Sequence, residues 1–363
     1  MDKKTAGRPR SLSLDLIRFL ATLFVVLNHC TEETYPVYSS GFYQLSSGSR
    51  IFGITCFSLG RIGVPLFLLL TGYLLLPREY DEDRTKRFYR HNLLSLLAVW
   101  EIWILIYQVY LCLYNQIPFP KKEYLLKVLL LKNAGLPHTW YMPIIIGIYI
   151  FLPLVSAAVR HVDDQTLLRL LGITFVFLFV VNSSVSFCKA FHIKELYIPS
   201  RKLDLNFSGG TYGFYVVLGY CAARFKTGIT SYVNSHQGIV SATAVVALAL
   251  TVYAQVFLRS VSYSFNVWYD FATLPVCSFC IFCLLYNKKI PENCSSMLTL
   301  LSSCSFGVFL IHEMILKTMI SSIAFSSLQF SVIARWFIIS LLSFLIVHLL
   351  SQIPGVNHLF LHK

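Results

Sequence analysis

The sequence predicts an all-α polytopic membrane protein, about ten transmembrane helices in one bundle with both termini cytoplasmic. Three observations predict it. Hydrophobic residues make up 56% of the 363 residues and charged residues only 13%, about half the charged share of a soluble protein. Mean hydropathy is +0.65. Ten apolar stretches recur along the chain, at or near the ~20 residues needed to cross the hydrocarbon core. They run over 13–31, 58–76, 92–114, 140–158, 167–187, 209–223, 238–258, 267–286, 298–320 and 332–352.

The first stretch reads as a retained span rather than a cleaved signal. Asp15 and Arg18 interrupt it, and no small-residue cleavage site follows. The second carries Arg61 near its outer end, with Pro65 four residues on to loosen the helix. A basic loop follows it, with Arg78, Arg84, Lys86, Arg87 and Arg90. After the third, Lys121 to Lys132 set lysines around a Leu/Val run that suits the interface plane. The fourth opens with His138-Thr139-Trp140-Tyr141. The sixth is short and glycine-rich. The eighth carries Cys277, Cys280 and Cys283 at three-residue spacing. No fourth ligand lies nearby, so they read as small residues in a packed helix and no metal is expected. Cys30 and Cys56 flank the first outer loop and could pair if that side is oxidising. The ninth carries Ser305, Gly307 and His312.

The net charge of +13 fits topology better than nucleic-acid binding. Lys3, Lys4, Arg8 and Arg10 precede the first span, and Arg160, Arg224, Lys226, Lys288 and Lys289 fall in later loops of the same parity. That side is cytoplasmic by the positive-inside rule. Loops 115–139 and 188–208 are also basic and pull the other way, with Lys189, Lys194, Arg201 and Lys202 in the second. The chain reads as one membrane domain: a basic tail at 1–12, a bundle at 13–353 and a short tail at 354–363.

Ionisable residues at membrane depth are costly and mark functional sites. Arg18 and His29 are eleven residues apart, which returns them to within roughly 20° of one helix face, about 16 Å apart along it. Glu32 and Glu33 stand at i+3 and i+4 from His29, so either could orient the imidazole. Arg61 enters at a depth close to His29. Each residue also has a plain structural reading. Arg18 could snorkel or pair with Asp15, His29 and Arg61 could be helix-end groups, His138 and Trp140 an interfacial anchor, and His312 a satisfied core histidine.

A histidine in a membrane cavity suits general-base work on a hydroxyl, and arginines suit phosphates or an oxyanion. There is no G-x-S-x-G elbow, no H-E-x-x-H zinc site and no P-loop. Group transfer from a phosphate-bearing donor and proton-coupled transport of a small molecule or sugar lipid both remain open.

Four motifs decide between them by likeness. Arg18 and His29 follow Leu14-Asp15-Leu16-Ile17 with ten residues between them. Arg61-Ile62-Gly63-Val64-Pro65-Leu66-Phe67 is followed by Thr71-Gly72-Tyr73. Trp140-Tyr141 opens a span that continues to Tyr149 and Pro153. Ser305-Phe306-Gly307-Val308-Phe309-Leu310-Ile311-His312 comes late. In this order the chain resembles the acyltransferase-3 family of integral membrane acyltransferases, in the branch of bacterial surface-polysaccharide O-acetyltransferases that includes the one acting on enterobacterial common antigen. It departs in carrying Thr71 for the usual serine, and no fused soluble domain is expected.

The resemblance implies a bacterial inner-membrane enzyme that moves an acetyl group from acetyl-CoA, a co-substrate rather than a resident cofactor, to a sugar hydroxyl of an envelope glycan or its lipid-linked precursor. A homo-oligomer is compatible with it. Carried over, Arg18 and His29 form the essential pair, with Arg61 and His312 supporting. His29 is expected to act as the base or a transient acyl carrier, with Glu33 orienting it. Arg18, Tyr73, Lys86, Arg87 and Arg90 are expected on the donor side, and His138 and Trp140 toward the acceptor.

Overall fold

The computed structural model describes residues 10–193, 209–261, 265–323 and 325–357. Lys3, Lys4, Arg8, Lys194, Arg201 and Lys202 lie outside the described residues. Those described form helices and connecting turns, with no strand among them.

Helix α1 (Leu12–Thr34) sits at the centre and packs against five others. Its polar residues close locally. Thr22, Thr31 and Thr34 donate to the carbonyls of Arg18, Leu27 and Cys30 at 2.9, 2.7 and 2.6 Å. These bonds let hydroxyls sit at apolar depth without water. The expected second span is longer than its apolar core and is broken. Helix α2 (Ser47–Gly60) and helix α3 (Gly63–Leu75) meet at Arg61-Ile62. Pro65 has no N–H to give to the Arg61 carbonyl, so the helical ladder lapses there.

Helix α4 (Glu82–Phe88) runs through a π-helical turn at Tyr89–Leu93 into α5 (Leu94–Asn115). Helix α6 (Lys121–Val128) buries Lys127, which donates to Gln108 Oε1 at 2.7 Å. A 3-10 turn at Pro137–Trp140 leads into α7 (Tyr141–His161). Helix α8 (Asp164–Phe175) continues through a second π-helical turn, Val176–Val180, into α9 (Val181–Ala190).

Helix α10 (Gly210–Arg224) packs against α3. Gly72 and Gly219 face each other's backbones there. A Cβ on Gly72 would stand 1.8 Å from the Val216 carbonyl oxygen, and one on Gly219 2.1 Å from that of Leu69. Only glycine permits this approach. Helices α11 (Lys226–Ser235), α12 (Gln237–Ser260), α13 (Thr273–Leu285), α14 (Ser295–Met319) and α15 (Leu328–Ser351) complete the bundle.

Each of the ten expected stretches holds a helix, although the second is broken at Arg61-Ile62 and the eighth becomes helical only from Thr273. Eight form helices long and apolar enough to cross a membrane. The other two are α10 and α13, at 15 and 13 residues. Their outward neighbours are extensive. Leu168, Leu170 and Ile173 on α8, Val245, Val246 and Tyr253 on α12, and Phe337 and Leu341 on α15 are all exposed. An apolar surface of this extent needs lipid against it, so the chain is embedded in a membrane.

All ten cysteines are free thiols. Cys30 and Cys56 are not joined, and Cys277 and Cys283 are buried in helix packing.

Candidate functional site

Three elements distant in sequence each deliver one histidine to the same depth. His29 comes from α1, His138 from the turn before α7 and His312 from α14. Their ring centroids are 5.3 Å apart for His29–His312, 5.0 Å for His138–His312 and 6.3 Å for His29–His138. All three are buried.

Their hydrogen bonds fix where protons sit. His312 Nδ1 lies 3.0 Å from the Val308 carbonyl oxygen and 2.9 Å from that of Phe309. Both are acceptors, so Nδ1 carries the hydrogen and Nε2 keeps its lone pair. Tyr107 donates to the Leu310 carbonyl at 2.8 Å. Its hydroxyl oxygen therefore accepts from His138 Nε2 at 3.1 Å, and His138 Nδ1 keeps the lone pair. His312 Nε2 and His138 Nδ1 are both buried and without a hydrogen-bond partner.

His29 is held by carboxylates. Its Nδ1 lies 3.0 Å from Glu32 Oε2 and 3.9 Å from Glu313 Oε2. The Glu32 contact is an ion-pair approach rather than an aligned hydrogen bond. An oxygen that close still favours the hydrogen on Nδ1 and leaves Nε2 as the basic nitrogen. Glu32 Oε1 accepts from Arg61 Nη2 at 3.0 Å and from the Tyr38 hydroxyl at 2.5 Å. Burial pushes the Tyr38 phenol up, which keeps it a donor.

Arg61 is buried at the break between α2 and α3. Nη1 donates to the Tyr269 hydroxyl at 3.3 Å and Nη2 to Tyr38 at 3.0 Å. Its guanidinium carbon lies 4.5 Å from the ring centroids of both Phe57 and Trp268. Aromatic faces and hydroxyls replace the hydration that a buried guanidinium loses.

Glu33 stands elsewhere: it accepts from Lys317 Nζ at 3.3 Å. Glu32, with Glu313 behind it, is therefore the carboxylate at His29, because the i+3 position points into the bundle here. Glu313 is fully buried, and neither of its oxygens has a hydrogen bond. Its nearest basic groups are His29 and Lys317 Nζ, the latter at 4.0 Å. His138, His312 and Glu313 offer ligand atoms all within 4.8 Å of one another. They form the one group in the described residues where a divalent ion could be held, a grouping unanticipated from sequence.

Arg18 lies toward the other end of α1. Its Nη1 donates to Asp15 Oδ1 at 3.1 Å and to Ser302 Oγ at 2.9 Å. Ser302 donates to Asp15 Oδ1 at 2.7 Å, and Arg10 Nε to Oδ2 at 2.6 Å. Asp15 is thus a buried anchor joining α1 to α14. Arg18 retains 32% side-chain exposure, so it is anchored at one nitrogen and open to a ligand.

Tyr73 packs at a tilt against Phe282 and Tyr286, at 5.6 and 5.8 Å between centroids. Lys86, Arg87 and Arg90 are exposed around the end of α4, and Lys86 pairs with Glu82 at 2.5 Å. They are not gathered at the histidines. Trp140 is part of an aromatic wall with Tyr212, Trp268 and Tyr269, at centroid distances of 5.9, 5.3 and 5.3 Å.

Sequence reasoning passed over Tyr107, Trp268, Tyr269 and the depth of Glu313. Glu313 was detectable as a carboxylate inside an apolar run. The aromatics gave no signal in a chain with 15% aromatic residues.

The family model described as an acyltransferase domain, type 3, matches residues 11–352. No curated protein and no solved structure matches the chain.

Proposed function

The chain belongs to this acyltransferase-3 family, and from that premise we propose that it moves an acetyl group from acetyl-CoA to a sugar hydroxyl of a bacterial envelope glycan or its lipid-linked precursor. Its setting is then the bacterial inner membrane, with both termini cytoplasmic. The observation that carries this reading is the arrangement of His29. One nitrogen faces Glu32 at 3.0 Å, and Glu32 is fixed in turn by Arg61 and Tyr38. A base, a carboxylate that orients it and a group that fixes the carboxylate form the general-base pattern.

In this reading the donor enters at the Arg18 end. Arg18 holds or polarises it, and the exposed Lys86, Arg87 and Arg90 meet its phosphates. The pantetheine arm extends along α1 toward His29, a rise of roughly 16 Å for eleven residues. His29 Nε2 takes the acceptor's hydroxyl proton as the oxygen attacks the thioester carbon. The new C–O bond forms, the C–S bond breaks, and the CoA thiolate leaves. His29 then returns its proton to that sulfur or to water. His312 Nε2 and His138 Nδ1, both without a hydrogen-bond partner, stay available as acceptors beside His29.

The test is incorporation of labelled acetyl from acetyl-CoA into envelope glycans, in membranes holding wild type, His29→Ala or Arg18→Ala at matched expression. Loss of label in both variants is expected. Full incorporation by His29→Ala overturns the base assignment. No incorporation by wild type across a range of envelope fractions overturns the transfer reading.

A further inference from the structure

A second concave site lies behind Arg61. It is a cleft of about 340 Å³ lined by Asn182, Ser183 and Ser186 of α9 and by Asn266, Trp268 and Asp270 of the segment before α13, together with Phe265 and Phe271. That volume lies within the range of small-molecule sites. Its lining is unusual for a membrane bundle. Six of the eight residues carry a polar group, yet none is a cation.

Most of the polar groups have capacity to spare; Asn266 Oδ1 already accepts from Gln255 Nε2 and Arg259 Nη2, which leaves its NH2 to give. Asn182 Nδ2 donates once, to the Leu178 carbonyl at 2.7 Å, which leaves its oxygen for a ligand. Ser183 Oγ accepts from the Ala272 N–H at 2.9 Å and still has its own hydrogen to give. Asp270 makes no ion pair among the described residues, and burial pushes its carboxyl up. A carboxyl so placed seeks hydroxyl donors. Trp268 is 40% exposed and offers a flat apolar face. Its ring is braced by Trp140 at 5.3 Å and by Arg61 at 4.5 Å.

We propose that this cleft is the acceptor subsite, and that it takes a neutral, hydroxyl-rich sugar ring packed on Trp268 and hydrogen-bonded by Asp270, Asn182 and Asn266. This rests on the transfer reading above and supplies the half it leaves open. An aromatic plate beside planar amide and carboxyl groups matches a pyranose, which has apolar C–H faces and an equatorial ring of hydroxyls. A phosphate or carboxylate ligand is disfavoured because Asp270 is the only formal charge in the lining. The contact chain Trp268–Arg61–Glu32–His29 places the cleft one arginine and one glutamate from the base.

Saturation-transfer NMR on the purified full-length protein tests this without acyl transfer. One arm uses methyl glycosides of glucose, galactose and N-acetylglucosamine. The other uses a polyprenyl-phosphate-linked sugar beside the polyprenyl phosphate alone. At least one glycoside or the lipid-linked sugar should receive saturation from wild type, and the signal should fall at least fivefold in Trp268→Ala and in Asp270→Asn. Asp270→Asn keeps side-chain shape, so it remains informative if Trp268→Ala fails to fold. Binding of a free glycoside assigns the sugar ring itself to the cleft. Binding of the lipid-linked sugar alone assigns the precursor form. No sugar signal in wild type, equal signals in wild type and both variants, or equal binding of the polyprenyl phosphate alone overturns the proposal. Sugar binding without any acetyl incorporation instead removes the transfer reading and leaves the subsite standing.

Discussion

Glu32→Gln is the sharpest perturbation of the candidate site. The carboxylate has two oxygens with separate duties. Oε2 faces His29 Nδ1 at 3.0 Å, and Oε1 accepts from both Arg61 at 3.0 Å and Tyr38 at 2.5 Å. A glutamine has one acceptor oxygen and one NH2. Two donors, one of them charged, claim the oxygen, so the NH2 turns toward His29. Nδ1 must then accept, and the imidazole hydrogen moves to Nε2. The residue keeps its place, but the basic nitrogen is blocked. Loss of a correctly poised base costs roughly 10²- to 10⁴-fold in rate, about 3–5.5 kcal/mol of barrier at 1.36 kcal/mol per decade. The assay is kcat for acetyl transfer, with the acetyl-CoA KM as an internal control. A drop of at least a hundredfold in kcat with KM within threefold is expected. Glu33→Gln, which faces Lys317, should keep more than a third of wild-type kcat. Near-full activity in Glu32→Gln, or a larger loss in Glu33→Gln, would refute the tautomer argument.

Four further outcomes follow from the structure. Arg61→Lys keeps the charge but cannot reproduce two donating nitrogens flanked by Phe57 and Trp268; it should lower activity at least tenfold and lower the melting temperature measured by thermal unfolding in detergent. Gly72→Ala drives a methyl into the Val216 carbonyl and should abolish folded protein or lower Tm by roughly 1–4 °C, as overpacking of about 1–3 kcal/mol would in a chain of this size. Gly147→Ala, which meets nothing within 4 Å, should be neutral or slightly stabilising in the same scan. Asp270→Asn should raise Tm at pH 7.5. A carboxyl raised by burial is stabilising when protonated and loses that contribution as pH rises above the ordinary carboxyl range. The advantage of the amide should therefore shrink on acidification toward pH 4, and an advantage that grows there instead contradicts the sign.

Much of the architecture was legible in the chain. Ten apolar stretches became ten helical regions because lipid leaves a backbone almost no other way to pair its own N–H and C=O groups. The three motifs that carry His29, Arg61 and His312 were legible for the same reason: an ionisable group inside such a stretch stands out against its neighbours. The break at Arg61 was foreshadowed by Pro65, although its consequence, a buried guanidinium between two aromatic rings, was not.

The sequence by itself determined the membrane setting, the helical register of Arg18 and His29, and the family. Only tertiary packing decided which carboxylate serves His29. Glu32 and Glu33 were equivalent candidates by spacing, and the way α1 docks on α14 turned one toward Arg61 and the other toward Lys317. Packing likewise set the protons of His138 and His312, through a tyrosine on α5 and carbonyls of α14. Periodicity fixes a direction around one helix axis. Which partner waits in that direction depends on the rotation and depth of a second helix up to 284 residues away, and one-dimensional spacing carries no record of that.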